Sequence, residues 1–218
     1  MTDNDFRYVF HHIPKCGGSS VNLALENWFK PVKDYRKVNT LDYREKIGSN
    51  NLQKDECLVG HFELDGFYLH QRYPEILHSD KFRVFSFIRD PLKTRLSLYR
   101  YEKKFRDRDV GSVHNAIAAS GRRNWLSQRF PATIDNYKEV IDEYFFIGIL
   151  EDAQASLDTL ASLVRKPVVK VPWVNTTAPE HESLTPDEIS QFREDNELDY
   201  LIYDYCVEKF NTMRITSL

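Results

Sequence analysis

Apolar runs of strand length alternate with amphipathic stretches of helical length along the chain. Residues 8–13 (YVFHHI) form a β-rich run, and residues 82–88 (FRVFSFI) form a longer run that is apolar on both faces. Runs of the second kind are typical of interior strands in parallel sheets. The pattern predicts further strands at residues 144–150 and 167–171 and a short strand that ends near Gly60.

Helices are predicted between and after these strands, at residues 19–29, 91–105, 151–164, 185–192 and 198–210. Asp90 and Pro91 give the second helix a favourable N-cap and first residue. An apolar stripe on this helix is expected to pack on the sheet: Leu92, Leu96 and Tyr99. The segment after the first helix is predicted to be a polar connection, and residues 106–123 a loop.

Strand and helix alternate throughout, which predicts an α/β fold of three layers, with a central parallel sheet and helices on both faces. With 218 residues, of which 41% are hydrophobic and 13% aromatic, the chain is long enough to bury a sizeable core. We expect a single domain over residues 1–218, because no internal repeat, low-complexity segment or linker interrupts the pattern.

Charge is distributed unevenly along the chain. The formal net charge is -3, which argues against a generic nucleic-acid binder. Residues 81–108 nevertheless contain ten Lys and Arg against three acidic residues, a local excess of +7. Such a zone is typical of a solvated helix face or of a site for a polyanionic ligand.

The three cysteines, Cys16, Cys57 and Cys206, are too far apart in sequence for a disulfide framework or a metal-ligand cluster. Together with the absence of a signal-peptide pattern at the amino terminus, they predict a reducing, cytoplasmic location and no bound metal. No apolar stretch approaches the roughly 20 residues that span a bilayer, so no membrane segment is predicted.

The sequence PKCGGSS, which follows the first predicted strand, has the outline of a phosphate-binding loop. Gly17 and Gly18 allow the backbone to approach an anion, and the helix expected from Ser19 would point its first N–H groups at it. In nucleotide-binding P-loops the lysine follows the glycines, whereas Lys15 precedes them. The alternative is a Gly-Gly turn beside a surface lysine.

A second anion site is predicted after the strand at residues 82–88. Arg89 stands at the strand end, where a guanidinium can grip an anion with two hydrogen bonds, and Ser97 lies about two helical turns further on. Helical spacing places Lys93, Arg100 and Lys104 on the same face as Ser97. An Arg-Asp-Pro turn by itself marks only a capped helix start.

Residues 14–20, 60–63 and 89–97 each follow a predicted strand end. Ligands bind at the carboxyl ends of the strands in parallel sheets, so we expect these three stretches to converge on one crevice.

Two of the stretches resemble motifs of the sulfotransferases. FHHIPKCGGSS is similar to the 5′-phosphosulfate loop, written HIPK-T-G-G-T-S in the branch that modifies carbohydrates, with departures at Cys16, Ser19 and Ser20. IRDPLKTRLSLY is similar to the 3′-phosphate motif, in which a serine follows an arginine by eight residues, here Arg89 and Ser97. Weaker likeness extends to NWLSQRF, FFIGILEDAQASL, VNTT and LDYLIYDY.

The resemblance implies a P-loop-NTPase-like sulfotransferase fold and the donor 3′-phosphoadenosine 5′-phosphosulfate (PAPS), whose product is PAP, with no metal. Lys15 would also act catalytically, by neutralising charge on the leaving oxygen. The residues that the resemblance assigns to PAPS binding are Lys15, Cys16, Gly17, Gly18, Ser19, Ser20, Arg89 and Ser97.

The sequence VGHF is similar to the Gly-His segment of the 2-O-sulfotransferase branch, which implies that His61 is the catalytic base. An unperturbed imidazole, with a pKa of about 6.5, suits proton abstraction near neutral pH. Glu63 is the reserve candidate, and His12 a weaker one. Without the resemblance, a lone histidine is more often structural. His11 is expected to point to the other face of its strand.

The predicted function is therefore transfer of a sulfuryl group from PAPS to a hydroxyl of a carbohydrate, in a glycan or glycoconjugate. A small-molecule alcohol and a tyrosine remain alternative acceptors. The rival classes are a P-loop-like nucleotide kinase, which the position of Lys15 disfavours, and a non-catalytic module that binds PAP or sulfated glycans. No nucleic-acid partner is predicted.

Later segments of the chain carry weaker predictions. Asn124, Gln128 and Arg129 are candidates for binding acceptor or donor, with an ordinary helix surface as the alternative. Residues 174–177 are expected to close over the nucleotide. Trp173 is a candidate for stacking on the adenine, with core packing as the alternative.

Overall fold

A five-stranded parallel sheet forms the centre of the protein. The structure, a computed structural model, describes residues 6–35, 46–62, 68–105, 111–172, 174 and 183–216. The strand order in the described part is β2-β3-β1-β4-β5, and every neighbouring pair is parallel. The strands are β1 (Arg7–His11), β2 (Lys30–Lys33), β3 (Glu56–Gly60), β4 (Phe82–Ile88) and β5 (Phe146–Ile149).

Helices surround this sheet and connect its strands. In the described part they are α1 (Gly18–Leu25), α2 (Leu69–Arg72), α3 (Pro74–Leu77), α4 (Pro91–Phe105), α5 (Val113–Ala118), α6 (Tyr137–Asp142), α7 (Ala153–Leu163), α8 (Pro186–Asp195) and α9 (Glu197–Thr216). The predicted α/β fold with a central parallel sheet is thus confirmed, and β4 and α4 have the predicted bounds.

Two predictions about strands are wrong. Residues 167–171 form no strand, because Gln154 takes the place of a neighbouring strand: its side chain donates to the Val169 carbonyl and accepts from the Val171 N–H. The segment predicted as a polar connection contains β2, which pairs only with β3 among the described strands. Short, charged sequences with proline are typical of such edge strands, and KPVK is one.

Two predictions about the region around α4 also need correction. Residues 106–123 are not all loop, because α5 lies within them. Ser112 caps this helix, since its side chain accepts a hydrogen bond from the Asn115 N–H. The apolar stripe of α4 does not pack on the sheet: Leu92 and Leu96 pack against a small separate cluster of buried residues contributed by other helices, Ile117, Phe192 and Tyr200.

The topology creates a crevice at the carboxyl end of β1. The connection that leaves β1 leads to β2 on one side of the sheet, whereas the connection that leaves β4 leads to β5 on the other side. In open α/β sheets, ligands bind at such a change of direction. The register aligns His11 of β1 with Gly60 of β3 and Ser86 of β4, so the loops after these three strands start side by side.

In the described part of the chain, none of the helices has the length and apolar composition needed to cross a membrane.

Candidate active site

An open cavity of about 700 Å³ lies at the carboxyl ends of β1 and β4. The loop after β1 and the first turns of α1 form one wall, and one face of α4 forms another. Its described lining consists of His12, Lys15, Gly17, Gly18, Ser19, Ser20, Arg89, Lys93, Ser97, Tyr101, Lys104, Phe105, Leu150, Glu151 and Val174. The two anion-binding motifs predicted from the sequence therefore face the same cavity.

The loop after β1 has an unusual backbone. Lys15 and Gly17 both adopt left-handed conformations, with φ of 65° and 75°. The conformation is uncommon for lysine and persists where the surrounding structure enforces it. A Cβ atom at Gly17 would lie 2.3 Å from Leu150 Cδ1, so a larger residue would have to displace the Leu150 side chain as well as strain the backbone at this φ.

Helix α1 begins at this loop without a cap of its own. Gly17 occupies the N-cap position, no side chain caps the helix, and its first turn contains no acidic residue. Among the described residues, none accepts a hydrogen bond from the N–H groups of Gly17, Gly18 or Ser19, whereas the Ser20 N–H donates to the Gly17 carbonyl. The open donors line the cavity, where an anion would cap the helix and interact with its dipole.

Helix α4, in contrast, is capped by its own sequence. The Asp90 carboxylate accepts from the Lys93 N–H at 2.8 Å, which confirms the predicted N-cap. An anion on this wall would therefore have to be held by side chains. Arg89, at the end of β4, and Ser97, on α4, both line the cavity, as predicted. Lys104 lies on the same wall, but Tyr101 takes the place expected for Arg100.

Positive charge dominates the described lining of the cavity. Lys15, Arg89, Lys93 and Lys104 carry four positive charges against the single carboxylate of Glu151, a net of +3. Glu151 Oε1 lies 3.6 Å from Lys93 Nζ and 4.0 Å from Arg89 Nε. Burial and the neighbouring Arg89 guanidinium lower the pKa of Lys15 below its ordinary value. An anionic ligand would relieve this crowding of positive charges.

The Lys15 ammonium lies over an aromatic ring inside the cavity. Its Nζ is 4.2 Å from the ring centroid of Tyr101, a cation–π distance. Tyr101 is on α4, so this contact joins the loop after β1 to the opposite wall. The sequence motifs contain no signal for Tyr101, although its helical spacing from Ser97 places it on the same face.

Cys16 is the one predicted ligand residue whose side chain points away from the cavity. It is 1% exposed within the hydrophobic core, and its Sγ lies 3.9 Å from Thr94 Oγ1. Burial raises the pKa of the thiol to about 12. Cys16 is therefore not among the described residues that line the cavity, and its N–H donates to the Ile13 carbonyl.

His12 is the only histidine among the described residues that line the cavity. It is 8% exposed, and its ring packs directly over Gly18. A Cβ atom at Gly18 would lie 1.9 Å from His12 Nε2, so glycine is needed at that position to leave room for the ring. His12 Nδ1 is 2.8 Å from the Tyr35 hydroxyl. Burial lowers the pKa of His12, and the neighbouring His61 lowers it further.

His61 is adjacent to this wall without lining the cavity itself. The centroid of its ring is 4.3 Å from that of His12 and 5.0 Å from that of Tyr35. Its Nδ1 lies 2.8 Å from the His12 carbonyl oxygen, which can only accept, so Nδ1 carries the proton. Nε2 of the neutral ring then holds a lone pair, as a base requires. Glu63, the reserve candidate, lies outside the described residues.

Three further candidates are placed away from the cavity lining. Asn124 links two segments, because its N–H donates to Asn196 Oδ1 and its Oδ1 accepts from the Asp199 N–H. Gln128 donates to the Arg123 carbonyl. Arg129 is 6% exposed, and its guanidinium carbon is 3.2 Å from the ring centroid of Trp125.

Other predicted residues lie at the edges of the site or outside the described part. Val174 lines the cavity, and its N–H donates to Ser20 Oγ at 3.2 Å. Trp173 and residues 175–177 are outside the described residues. His11 is buried on the other side of β1, where its Nδ1 lies 2.9 Å from the Tyr144 hydroxyl.

No protein-family model and no curated protein matches the chain. Among solved structures, the chain is similar to a sulfotransferase from Alicyclobacillus acidocaldarius, with a TM-score of 0.51 and 13% sequence identity. The similarity covers 91% of this chain and 96% of that one. The parallel α/β fold of the chain is thus one that a sulfotransferase also adopts.

Proposed function

We propose that the protein is a sulfotransferase that uses PAPS to sulfate a hydroxyl group on a carbohydrate. One observation carries the proposal: the loop of residues 15–20 and the pair Arg89 and Ser97 line the same cavity. A nucleotide with anionic groups at both its 3′ and 5′ positions would be held at both ends there. The fold shared with a known sulfotransferase supports the same assignment.

The described residues fit such a ligand. The uncapped start of α1 supplies backbone N–H donors for a 5′ group, and Gly17 and Gly18 leave the helix end accessible. Arg89 and Ser97 supply a guanidinium and a hydroxyl for a 3′-phosphate. The net positive lining suits a polyanion, and the aromatic Tyr101 and Phe105 add apolar surface to the same wall.

When bound, PAPS would supply a sulfuryl group that leaves a phosphate oxygen without the help of a metal ion. Lys15 would stabilise the negative charge that develops on that oxygen. His61 would take the proton of the acceptor hydroxyl at Nε2, since its Nδ1–H is held by the His12 carbonyl. The remaining lining residues would bind and orient the donor, because positioning and charge stabilisation are the main contributions that such a transfer requires.

The choice of a carbohydrate acceptor rests on the motifs of the sequence and on charge. The loop HIPKCGGSS and the segment VGHF are similar to motifs of carbohydrate-modifying branches. Lys104 extends the positive charge along α4 beyond the Arg89 and Ser97 pair, which would favour an acceptor that already carries negative charge.

Thermal unfolding with PAP, ADP and ATP tests the donor assignment. A ligand at a hundred times its Kd stabilises the native state by about 2.7 kcal/mol, which for a chain of this size raises Tm by roughly 5 to 11 °C. PAP should give such a shift without magnesium, and ADP or ATP a much smaller one. Equal stabilisation by ATP, or a requirement for magnesium, would favour a nucleotide kinase instead.

Transfer from labelled PAPS to a panel of acceptors tests the activity itself. Label should appear in carbohydrates, and preferentially in those that are already anionic. If label appeared only in a small alcohol or a tyrosine peptide, the sulfotransferase assignment would stand and the carbohydrate acceptor class would be wrong. Tight PAP binding without transfer to any member of a broad panel would favour the binding module.

A further inference from the structure

A hydrogen-bonded chain determines which nitrogen of His12 carries the proton. The Tyr35 hydroxyl lies 2.8 Å from His12 Nδ1 and 2.9 Å from Asn22 Nδ2. In the structure the Asn22 amide turns its NH₂ group to Tyr35, and its Oδ1 is buried without a hydrogen-bond partner among the described residues. An NH₂ group only donates, so with this amide orientation the Tyr35 oxygen accepts from Asn22 and directs its own proton to His12 Nδ1. Nδ1 is therefore an acceptor, and in the neutral ring the proton is on Nε2.

The surroundings favour the neutral ring. His12 is 8% exposed, and burial, His61, His11 and Lys15 all lower its pKa well below the ordinary value of histidine. The Tyr35 hydroxyl keeps its proton as well, because burial raises its pKa to about 12. The hydrogen bonds from Asn22 to Tyr35 and from Tyr35 to His12 thus run in one direction. The remaining N–H of the His12 ring, at Nε2, is on the ring edge that faces Gly18.

That N–H lies beside the other donors of the site. The His12 ring lines the cavity, and its Nε2 edge packs on Gly18, the first residue of α1. The N–H groups of Gly17, Gly18 and Ser19, which have no acceptor among the described residues, belong to the same wall, and Lys15 lines the same cavity. Glu151 is the only negatively charged side chain among the described lining residues, and it lies near Arg89 and Lys93 on the other wall.

We propose that His12 donates its Nε2–H to the anionic group that binds at the start of α1, and that Tyr35 and Asn22 hold it in this tautomer. Within the proposed function, on which this inference rests, that group is the 5′ end of PAPS, and His12 is a catalytic residue but not a base. His61 has the opposite tautomer, because its Nδ1–H donates to the His12 carbonyl. The two adjacent histidines would thus have different roles: His12 would stabilise negative charge, and His61 would accept a proton.

Nitrogen-15 NMR of the wild-type protein tests the tautomer directly. We expect a neutral His12 with an unprotonated Nδ1 and a protonated Nε2, assigned by the loss of its signals in His12→Gln. Tyr35→Phe removes the hydroxyl that donates to Nδ1, so the His12 ring should become a mixture of the two tautomers. Tyr35 acts on the ligand only through His12, so this variant changes the tautomer without removing a direct contact with the ligand. A wild-type ring that is protonated on Nδ1 would overturn the proposal.

Binding of PAP by two variants tests the contact with the ligand. The Nε2 amide of glutamine reaches the position of the histidine Nε2–H, whereas the amide of asparagine is level with Nδ1. Titration calorimetry should show that His12→Asn weakens PAP binding by about tenfold or more, as expected for loss of a hydrogen bond to a charged group, and that His12→Gln stays within about threefold of wild type.

The outcomes separate this inference from the function on which it rests. If the wild type binds PAP and His12→Asn binds it as tightly, the donor role is wrong and the proposed function stands. If the wild type binds no PAP, the proposed function itself is wrong and the donor role falls with it. The same calorimetry on His78→Asn, an exposed histidine beside Glu143, should show wild-type affinity.

Discussion

The imidazole of His61 donates its Nδ1–H to the backbone carbonyl of His12 across 2.8 Å. The bond follows from the sheet register, which aligns His11 with Gly60 and so places the next residues of the two loops side by side. A backbone acceptor orients the ring and leaves Nε2 as the proton-accepting atom. Parallel pairing of β1 with β3 thus determines the orientation of the candidate base.

His61→Ala should reduce transfer from PAPS by about a hundred-fold to ten-thousand-fold, the usual contribution of a general base. PAP affinity should stay near the wild-type value, because His61 is not among the described residues that line the cavity. Rates with labelled PAPS and PAP titrations measure the two effects. His78→Ala, at an exposed histidine, should change neither. A parallel collapse of PAP affinity and rate would reassign His61 to binding or structure.

Lys15→Ala should lower the rate of transfer by about a hundred-fold or more, or roughly 2.7 to 4 kcal/mol of transition-state stabilisation. The reason is that Lys15 lines the same cavity as the open N–H groups of α1, where the leaving group is expected. Lys30→Ala is the control, since Lys30 pairs with Asp55 at an exposed surface. Unchanged turnover in Lys15→Ala would remove Lys15 from the mechanism.

Arg89→Ala should abolish the preference for a 3′-phosphate. Thermal shifts by PAP and AMP should become similar in this variant, because these two ligands differ only in the 3′-phosphate, which Arg89 is expected to bind. Ser97→Ala should reduce the preference to a smaller extent, as loss of a neutral hydroxyl. In Arg214→Ala, which removes a surface ion pair with Asp152, the preference should persist. A preference retained in Arg89→Ala would place the 3′-phosphate elsewhere.

The central strands and the anion-binding motifs were predictable because their signals are local. The residues of β4 are apolar on both faces, as an interior strand requires, and Asp90 and Pro91 define the start of α4. The convergence of the loop at residues 15–20 with Arg89 followed from a general property of parallel sheets. The catalytic roles of these residues stay predictions.

Features that depend on contacts between distant segments were not predictable. The role of Tyr35 depends on a hydrogen bond to His12 that no spacing in the sequence indicates. Likewise, the predicted strand at residues 167–171 fails because a side chain, Gln154, satisfies its backbone groups. The basic segment at residues 81–108 is a further example, because its charges do not all serve one purpose. Arg95 is buried and donates to the carbonyls of Ala116 and Arg122, so it supports the fold instead of a ligand.

A buried ion pair supports the segment that carries Tyr35. Asp34 is fully buried and accepts two hydrogen bonds from Arg72, at 2.8 and 3.1 Å, and one from the Tyr73 hydroxyl at 2.7 Å. Arg72→Ala should lower the free energy of unfolding by about 3 to 5 kcal/mol, because it leaves a buried carboxylate without its cation.

Urea unfolding measures this effect, with Arg214→Ala as the matched control. The ion pair of Arg214 with Asp152 is exposed, so its loss should cost no more than about 1 kcal/mol. Similar losses in the two variants would show that the Asp34 carboxylate relaxes toward water or finds other donors.

His11 should make stability depend on pH. It is fully buried, its Nε2 has no hydrogen-bond partner among the described residues, and burial together with Arg129 lowers its pKa to about 3. In the unfolded chain its pKa is about 6.5, so below that pH the unfolded state binds a proton that the native state excludes. The stability associated with neutral His11 is therefore complete above about pH 6.5 and declines as the pH falls toward 3.

The slope of this decline should be about 1.4 kcal/mol per pH unit, over and above the contribution of other groups. His11→Gln removes the titrating group, so its free energy of unfolding should fall less steeply than that of the wild type between about pH 6 and pH 4. Urea unfolding at several pH values measures both slopes. His78→Gln, at an exposed imidazole, should keep the wild-type slope. Parallel curves for His11→Gln and the wild type would mean that His11 binds a proton in the native state, which its apolar neighbours Phe62 and Phe130 should prevent.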